Sequence, residues 1–210
     1  MKKFTLTVIL ILSFQTRAAI PRADSTDFGS QIRLARNTKL PMSARWQALV
    51  KAAENANYEQ LAQIKEFATN KDWYMRNATL VALSKNNFNH AYEEAGKLLQ
   101  DKALVVRSAA VDVISSKYNR ESRDLLAAEL SKPYNFSKKQ SLWIRSKIFN
   151  IIAVKASADD RSFFTKYLFD SDAKIVKSAV ATLERMTDVR FSSKNQVNDW
   201  RDYVKKNGWL

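Results

Sequence analysis

The sequence predicts an all-α protein built as a solenoid of stacked helix pairs. Three observations carry this expectation. First, one segment recurs. Residues 101–117 read DKALVVRSAAVDVISSK, and the segments at 70–85 (NKDWYMRNATLVALSK), 139–155 (KQSLWIRSKIFNIIAVK) and 170–186 (DSDAKIVKSAVATLERM) superimpose on it when set on Arg76, Arg107, Arg145 and Lys177. A weaker fifth copy surrounds Arg45, and the steps between the basic positions are 31, 31, 38 and 32 residues. A period of this size marks a repeat array, because one such unit cannot bury its apolar face alone. Second, the apolar residues follow a helical period from residue 43 onward. Third, the chain has only three Gly and three Pro, too few breakers for a turn-rich sheet fold.

Taken in order, residues 19–42 are polar and weakly patterned, a mobile lead-in with one short helix near 31–36. Helices are expected at 43–56, 58–69, 72–86, 88–100, 104–118, 121–132, 140–156, 159–169, 172–187 and 196–206. Asn and Asp stand in the turns between them, where their side chains accept from free N–H groups at helix starts. Short turns make consecutive helices antiparallel. In the second helix of each pair, Met75, Val106, Ile144 and Val176 precede the basic residue by one place. Thr79, Ala110, Ile148 and Val180 follow it by three, and Ala82, Val113, Ile151 and Leu183 by six. This is a stripe expected to be buried. Ala78, Ala109 and Ala179 stand two places after, where a small residue admits close approach. Lys147 breaks that rule in the third copy, so packing there should be looser or its stem must snorkel.

Residues 1–18 read as a secretory signal. Lys2 and Lys3 open it, an apolar run of 11 residues follows from Phe4 to Phe14, and Thr16-Arg17-Ala18 offers a cleavage site before Ala19. The run is short for a membrane span. The expected location is therefore periplasmic or secreted. Processing removes three cations and no acid, lowering the formal net charge from +14 to +11. Such a surplus favours an acidic protein, an anionic envelope polymer or a membrane surface as partner. Export weighs against nucleic acid. The chain has no Cys and a single His, His90, which excludes disulfides, Cys-based metal sites and thiol nucleophiles. No Gly-rich phosphate loop or nucleophile elbow is present. Asp159-Asp160 and Glu93-Glu94 read as helix-start carboxylates rather than an acid/base pair. The expectation is a non-enzyme without cofactor.

In residues 43–186 the chain resembles the HEAT-repeat proteins, in particular their short bacterial form. Their pattern is a Leu-rich helix, an Asp in the turn, then Val-Arg-x-x-Ala opening the second helix. Leu98-Leu99-x-Asp101 followed by Val106-Arg107-Ser108-Ala109-Ala110 matches it closely, and Asp170, Val176, Lys177 and Ala179 match with one extra residue. Asn70, Arg76 and Ala78 match less well. The resemblance implies a right-handed α-solenoid over 43–187. It also implies a structural ladder of turn acids and helix cations: Asp101 with Arg107, Asp170 or Asp172 with Lys177, and further rungs at Arg76 and Arg145. Lys139 stands where the third copy should carry its acid. The Trp, Gly and Tyr signature of tetratricopeptide repeats and the Thr-Pro-Leu-His start of ankyrin repeats are absent. Residues 188–210 leave the pattern. There Phe191, Trp200, Tyr203 and Trp209 suit an aromatic cap, with Asp199, Arg201, Asp202, Lys205 and Lys206 facing solvent.

Two places stand out as candidate partner-binding surfaces. One is a stripe on the second helices that includes Ser108, Asp112, Ser115, Ser146 and Asn150. It is small, polar and of mixed charge, and it would floor the concave groove of a solenoid; the competing reading is plain solvent exposure. The other is the insertion at 132–140, KPYNFSKKQ, with Tyr134, Phe136, Lys138 and Lys139. Insertions often map to a binding face, although its aromatics could equally fold back onto the repeat junction. The basic row itself could track a phosphate backbone or bond turn carboxylates inside the stack. The functional expectation is a non-catalytic scaffold for protein–protein interaction in the bacterial envelope. Binding of an anionic polymer or membrane surface is the alternative, and a groove hydrolase or glycosylase the third.

Overall fold

The computed structural model describes residues 27–210, and the expected signal at 1–18 lies outside the described residues. Among the described residues eleven α-helices follow one another: α1 (Phe28–Arg36), α2 (Met42–Glu54), α3 (Tyr58–Lys65), α4 (Trp73–Asn86), α5 (Phe88–Leu98), α6 (Leu104–Ser116), α7 (Arg120–Glu129), α8 (Trp143–Val154), α9 (Arg161–Tyr167), α10 (Ala173–Thr187) and α11 (Gln196–Lys206). A short hairpin of β1 (Phe136–Ser137) and β2 (Gln140–Ser141) stands before α8. Among the described residues the protein is all-α apart from this ribbon.

Asparagines start several first helices, as their turn chemistry leads one to expect. Asn57 and Asn119 close reciprocal capping boxes with Gln60 and Ser122, and the Asn87 side chain accepts from the N–H groups of Asn89 and His90. Each first helix packs on its own second helix: α1 on α2, α3 on α4, α5 on α6, α7 on α8 and α9 on α10. The second helices also pack in series, α2 on α4, α4 on α6, α6 on α8 and α8 on α10. α11 contacts α10 as α3 contacts α2.

The residues of the expected stripe lie where these helices meet. Met75, Thr79, Ala82, Val106, Ala110, Ile144, Ile148, Val176, Val180 and Leu183 are buried. Val113 and Ile151, expected in the same stripe, are only half-buried, although Ala82 and Leu183 at the equivalent place are buried. Two clusters form the core, one from Ile32 to Ala91 and one from Ala68 to Val204, and Val113 packs against both. Trp200 is fully buried in the second, with its ring 5.4 Å from Phe191 and 5.7 Å from Tyr203.

The structure also differs from the sequence expectation in its element boundaries and at its surface. The segment 28–36 belongs to the packed body rather than to a mobile lead-in: Ile32 and Ala35 are buried against α2. α8 begins at Trp143, not 140, because Gln140 and Ser141 pair with Ser137 and Phe136 in the hairpin. Arg201, expected in solvent, is half-buried and donates from Nε to the Leu168 carbonyl at 3.0 Å.

Candidate functional site

The basic residue near the start of each second helix reaches two places at once. Arg76 donates from Nη1 to the carbonyls of its own turn, Asn70 at 2.8 Å and Lys71 at 3.1 Å. Its Nε and Nη2 grip the Asp101 carboxylate of the next turn at 2.5 and 2.7 Å. Arg45 likewise donates from Nε to Ala35 O at 3.0 Å and pairs with Asp72 at 2.9 Å. Arg145 donates to Leu130 O at 2.6 Å and to both oxygens of Asp170. The rungs therefore join successive pairs, whereas the resemblance implied a pairing within each pair. Asp101 serves Arg76 through its carboxylate and Arg107 only through its backbone oxygen, at 2.7 Å. The cause is geometric. The second helices lie side by side, so the following turn comes within reach of a guanidinium that is already fixed on its own turn.

The rung without an acid is completed by the insertion. Asn135 is fully buried and accepts from Arg107 Nε at 3.1 Å, while its own amide donates to Glu129 O at 2.9 Å. Tyr134 supplies its backbone oxygen to Arg107 Nη2 at 3.0 Å, and its hydroxyl donates to Glu129 at 2.7 Å. The Arg107 guanidinium lies 5.5 Å from the Tyr134 ring and Arg145 lies 4.4 Å from the Phe136 ring. Both aromatics thus face the rungs. Burial pushes the Glu129 carboxyl up and the Arg107 guanidinium down from their ordinary values. Burial pushes Asp101 the same way as Glu129, but the Arg76 bonds and the Ala103 N–H outweigh it and hold Asp101 low. Lys177 differs from the other ladder positions: it is exposed and makes no ion pair or hydrogen bond among the described residues.

The residues expected to floor a groove are engaged with one another. Lys147 reaches from α8 to α6, donating to Ser108 Oγ and to Asp112 at 2.7 Å, so its stem does snorkel. Ser115 Oγ donates to Asp112 O at 3.1 Å. Asn150 accepts from Ser178 at 2.9 Å, joining α8 to α10. Ser146 is half-buried. The residues weighed for catalysis also have structural company: Lys65 and Lys97 bond Glu93, Lys97 bonds Glu94, and Asp160 pairs with Arg123. Among the described residues no three acidic or His side chains gather as a metal site requires.

A different surface emerges where the first helices end and the second begin. The ladder places these turns beside one another along one edge. Lys39, Lys71, Lys102, Lys138, Lys139 and Lys174 stand on it, all exposed and none in an ion pair among the described residues. The turn acids Asp72, Asp101 and Asp170 are held by ladder arginines. Between the lysines stand large apolar side chains left in water: Met42 (50% exposed), Trp73 (44%), Val105 (50%), Trp143 (52%) and Phe169 (44%). Lys138 and Lys139 form the tip of the hairpin, with φ of 49° and 66°. A left-handed pair is what a two-residue hairpin turn demands, and Asn-Gly is its usual sequence. A cleft of about 380 Å³ opens beside this tip, bounded by Lys139, Ser141, Trp143, Ser146, Asp172 and Lys174.

Of the candidate binding residues, then, the edge collects Lys138, Lys139 and Ser146. Tyr134 and Phe136 support the ladder, and Ser108, Asp112 and Asn150 tie helices together. The sequence reading missed the rest of the edge. Its signal was a Lys recurring three to six places before each basic residue, at 39, 71, 102, 139 and 174. No protein-family model matches the sequence, and no curated protein matches it.

Proposed function

We propose that this chain is a HEAT-like right-handed α-solenoid, exported by its N-terminal signal, that acts as a non-catalytic scaffold docking an acidic partner along its turn edge. The serial packing of second helices and the rungs between consecutive turns support the solenoid reading. The Lys2-Lys3 start, the apolar run and the Thr16-Arg17-Ala18 site support export, and N-terminal sequencing of the native protein tests it by asking for Ala19. The observation that carries the function is the row of unpaired lysines interleaved with exposed apolar side chains. Asp72, Asp101 and Asp170 in the same turns are neutralised by ladder arginines, so the edge carries a surplus of positive charge. The groove, with Asp112 and Asn150 occupied by neighbours, supports docking less well.

Retention on a heparin matrix tests this reading, since heparin stands in for any acidic partner. Lys71→Glu with Lys102→Glu should elute at clearly lower salt than Lys51→Glu with Lys155→Glu. The second pair makes the same change of charge in the last turn of α2 and just past the end of α8. Equal elution of the two variants would overturn the edge as the docking surface and leave net charge alone as the cause.

A further inference from the structure

We infer that the surface met by the turn edge is an anionic lipid bilayer, with the lysines in the headgroup layer and Trp73, Val105 and Trp143 entering the interface beneath it. The inference rests on the docking reading above and names its partner.

A solvated polyanion without rings of its own draws chiefly on cations. The edge offers something more: five large apolar side chains, each about half exposed, in the same turns as the lysines. Cations interleaved with Trp and aliphatic side chains match a phase that is charged at its surface and apolar a few ångströms below. Indoles in particular favour that boundary, because one part of the ring system is apolar and the N–H end is polar. The lysines attract anionic headgroups within a Debye length, and the apolar tips hold on where salt screens the charge.

The arrangement suits a planar partner. Neighbouring packed helices stand roughly 8–10 Å apart, so five successive turns form a row rather than a spot. A row of residues laid on a plane engages many headgroups at once. The hairpin tip adds to it. Lys138 and Lys139 both adopt left-handed backbone, which costs a non-glycine residue stability. Asn-Gly would hold the turn with less strain, so what the lysines contribute is exposed charge at the tip of the hairpin. Beside it, the cleft bounded by Lys139, Lys174, Ser141, Ser146 and Trp143 offers two ammonium groups, two hydroxyls and an indole. That set fits a phosphodiester headgroup over the start of an acyl chain. Asp172 borders the same cleft, but its carboxylate is engaged in capping the Lys174 N–H at 2.9 Å.

The test uses residues 19–210, which contain every residue of both cores and omit the apolar run whose own lipid affinity would mask the result. Co-sedimentation is measured with vesicles of phosphatidylcholine alone and of phosphatidylcholine mixed with phosphatidylglycerol, at low and high salt. Binding to the mixed vesicles only, with a blue shift of tryptophan emission, is expected. Lys138→Glu with Lys139→Glu should weaken that binding roughly tenfold or more. Trp73→Ser with Trp143→Ser should abolish the blue shift and the part of the binding that survives high salt. If either double variant fails to fold by circular dichroism, Lys71→Gln with Lys102→Gln takes its place, and binding equal to wild type overturns the inference. Equal binding to both vesicle types also overturns it. Retention on heparin without any vesicle binding overturns the lipid assignment while leaving the docking edge standing. Loss of both overturns the two together.

Discussion

Remove either member of the Arg76–Asp101 rung and a charge is stranded between two helix pairs. The two side chains are only 6% and 5% exposed and meet through two parallel bonds of 2.5 and 2.7 Å. In Arg76→Ala, Asp101 keeps one N–H, that of Ala103 at 2.7 Å. Breaking a buried pair in this way costs about 3–5 kcal/mol. In Asp101→Ala the guanidinium retains the Asn70 and Lys71 carbonyls, so the cost is smaller, about 2–4 kcal/mol. The double variant strands neither charge, and the two losses should fall short of additivity by about 2 kcal/mol. Lys177→Ala, at the equivalent but exposed position, should change stability by no more than about 0.5 kcal/mol. Urea unfolding followed by circular dichroism measures all four, provided the slope of free energy against urea stays constant. Single losses under about 1 kcal/mol, or simple additivity, would refute the view that the rungs hold the stack together.

Further outcomes follow from the same contacts. Asn135→Ala should lose about 2–3 kcal/mol, since it leaves Arg107 Nε and the Glu129 oxygens short of partners, and a melt within a degree of wild type would contradict this. Replacing Lys138 by Asn and Lys139 by Gly should stabilise the protein by about 1–2 kcal/mol in thermal unfolding, because the turn loses its left-handed strain. Acid titration should separate Asp101 from Glu129. Asp101 sits below its ordinary 3.8, so its contribution is present above that value and disappears as pH falls through the lower folded one. Asp101→Asn should flatten this acid limb. Glu129 is raised above 4.5 by burial, so its proton stabilises the fold and stability declines as pH rises through the raised value. Glu129→Gln should remove that decline and cost less at pH 7 than Asp101→Asn.

The helices were legible because their signals are local. The apolar period, the Asn and Asp turns and the scarcity of Gly and Pro placed ten helices to within a few residues, and the recurring segment marked which helices are equivalent. The ladder was legible in Arg76, Asp101, Arg107, Arg145 and Asp170 but not in its pairing, and Lys177, expected as a member, makes no rung while Arg45 with Asp72 does. Spacing along the chain says that Asp101 and Arg107 are near in sequence, whereas the bond from Asp101 to Arg76 depends on how two pairs lie against each other. Asn135 was invisible for the same reason: a neutral residue inside an insertion replaces an acid only once the loop is folded. The groove looked free because one sequence does not show that Lys147 crosses to Asp112. The edge was readable in principle, through its repeating Lys, but a lone Lys in a turn is ordinary, and only the accumulated exposure of Met42, Trp73, Val105 and Trp143 gives the row its meaning.

The rungs point one way. Each arginine belongs to one pair and is completed by the turn of the pair that follows it in the chain, so the stack has a direction in time as well as in space. A chain that emerges N-terminus first, from a ribosome or through a membrane pore, carries an unfinished guanidinium at its growing end until about 25 more residues arrive, the separation of Arg76 from Asp101 and of Arg145 from Asp170. Shortening the protein from its two ends should therefore be unequal. Of the rung ions, starting after α2 frees Asp72, whose side chain is already 29% exposed and can take water instead. Stopping before Asp170 leaves Arg145, 4% exposed, with carbonyl, hydroxyl and ring contacts but no counter-ion. Lys177 is the terminus of this sequence of debts: a flexible ammonium, hydrated at the surface, asks nothing of a successor and lets the series stop.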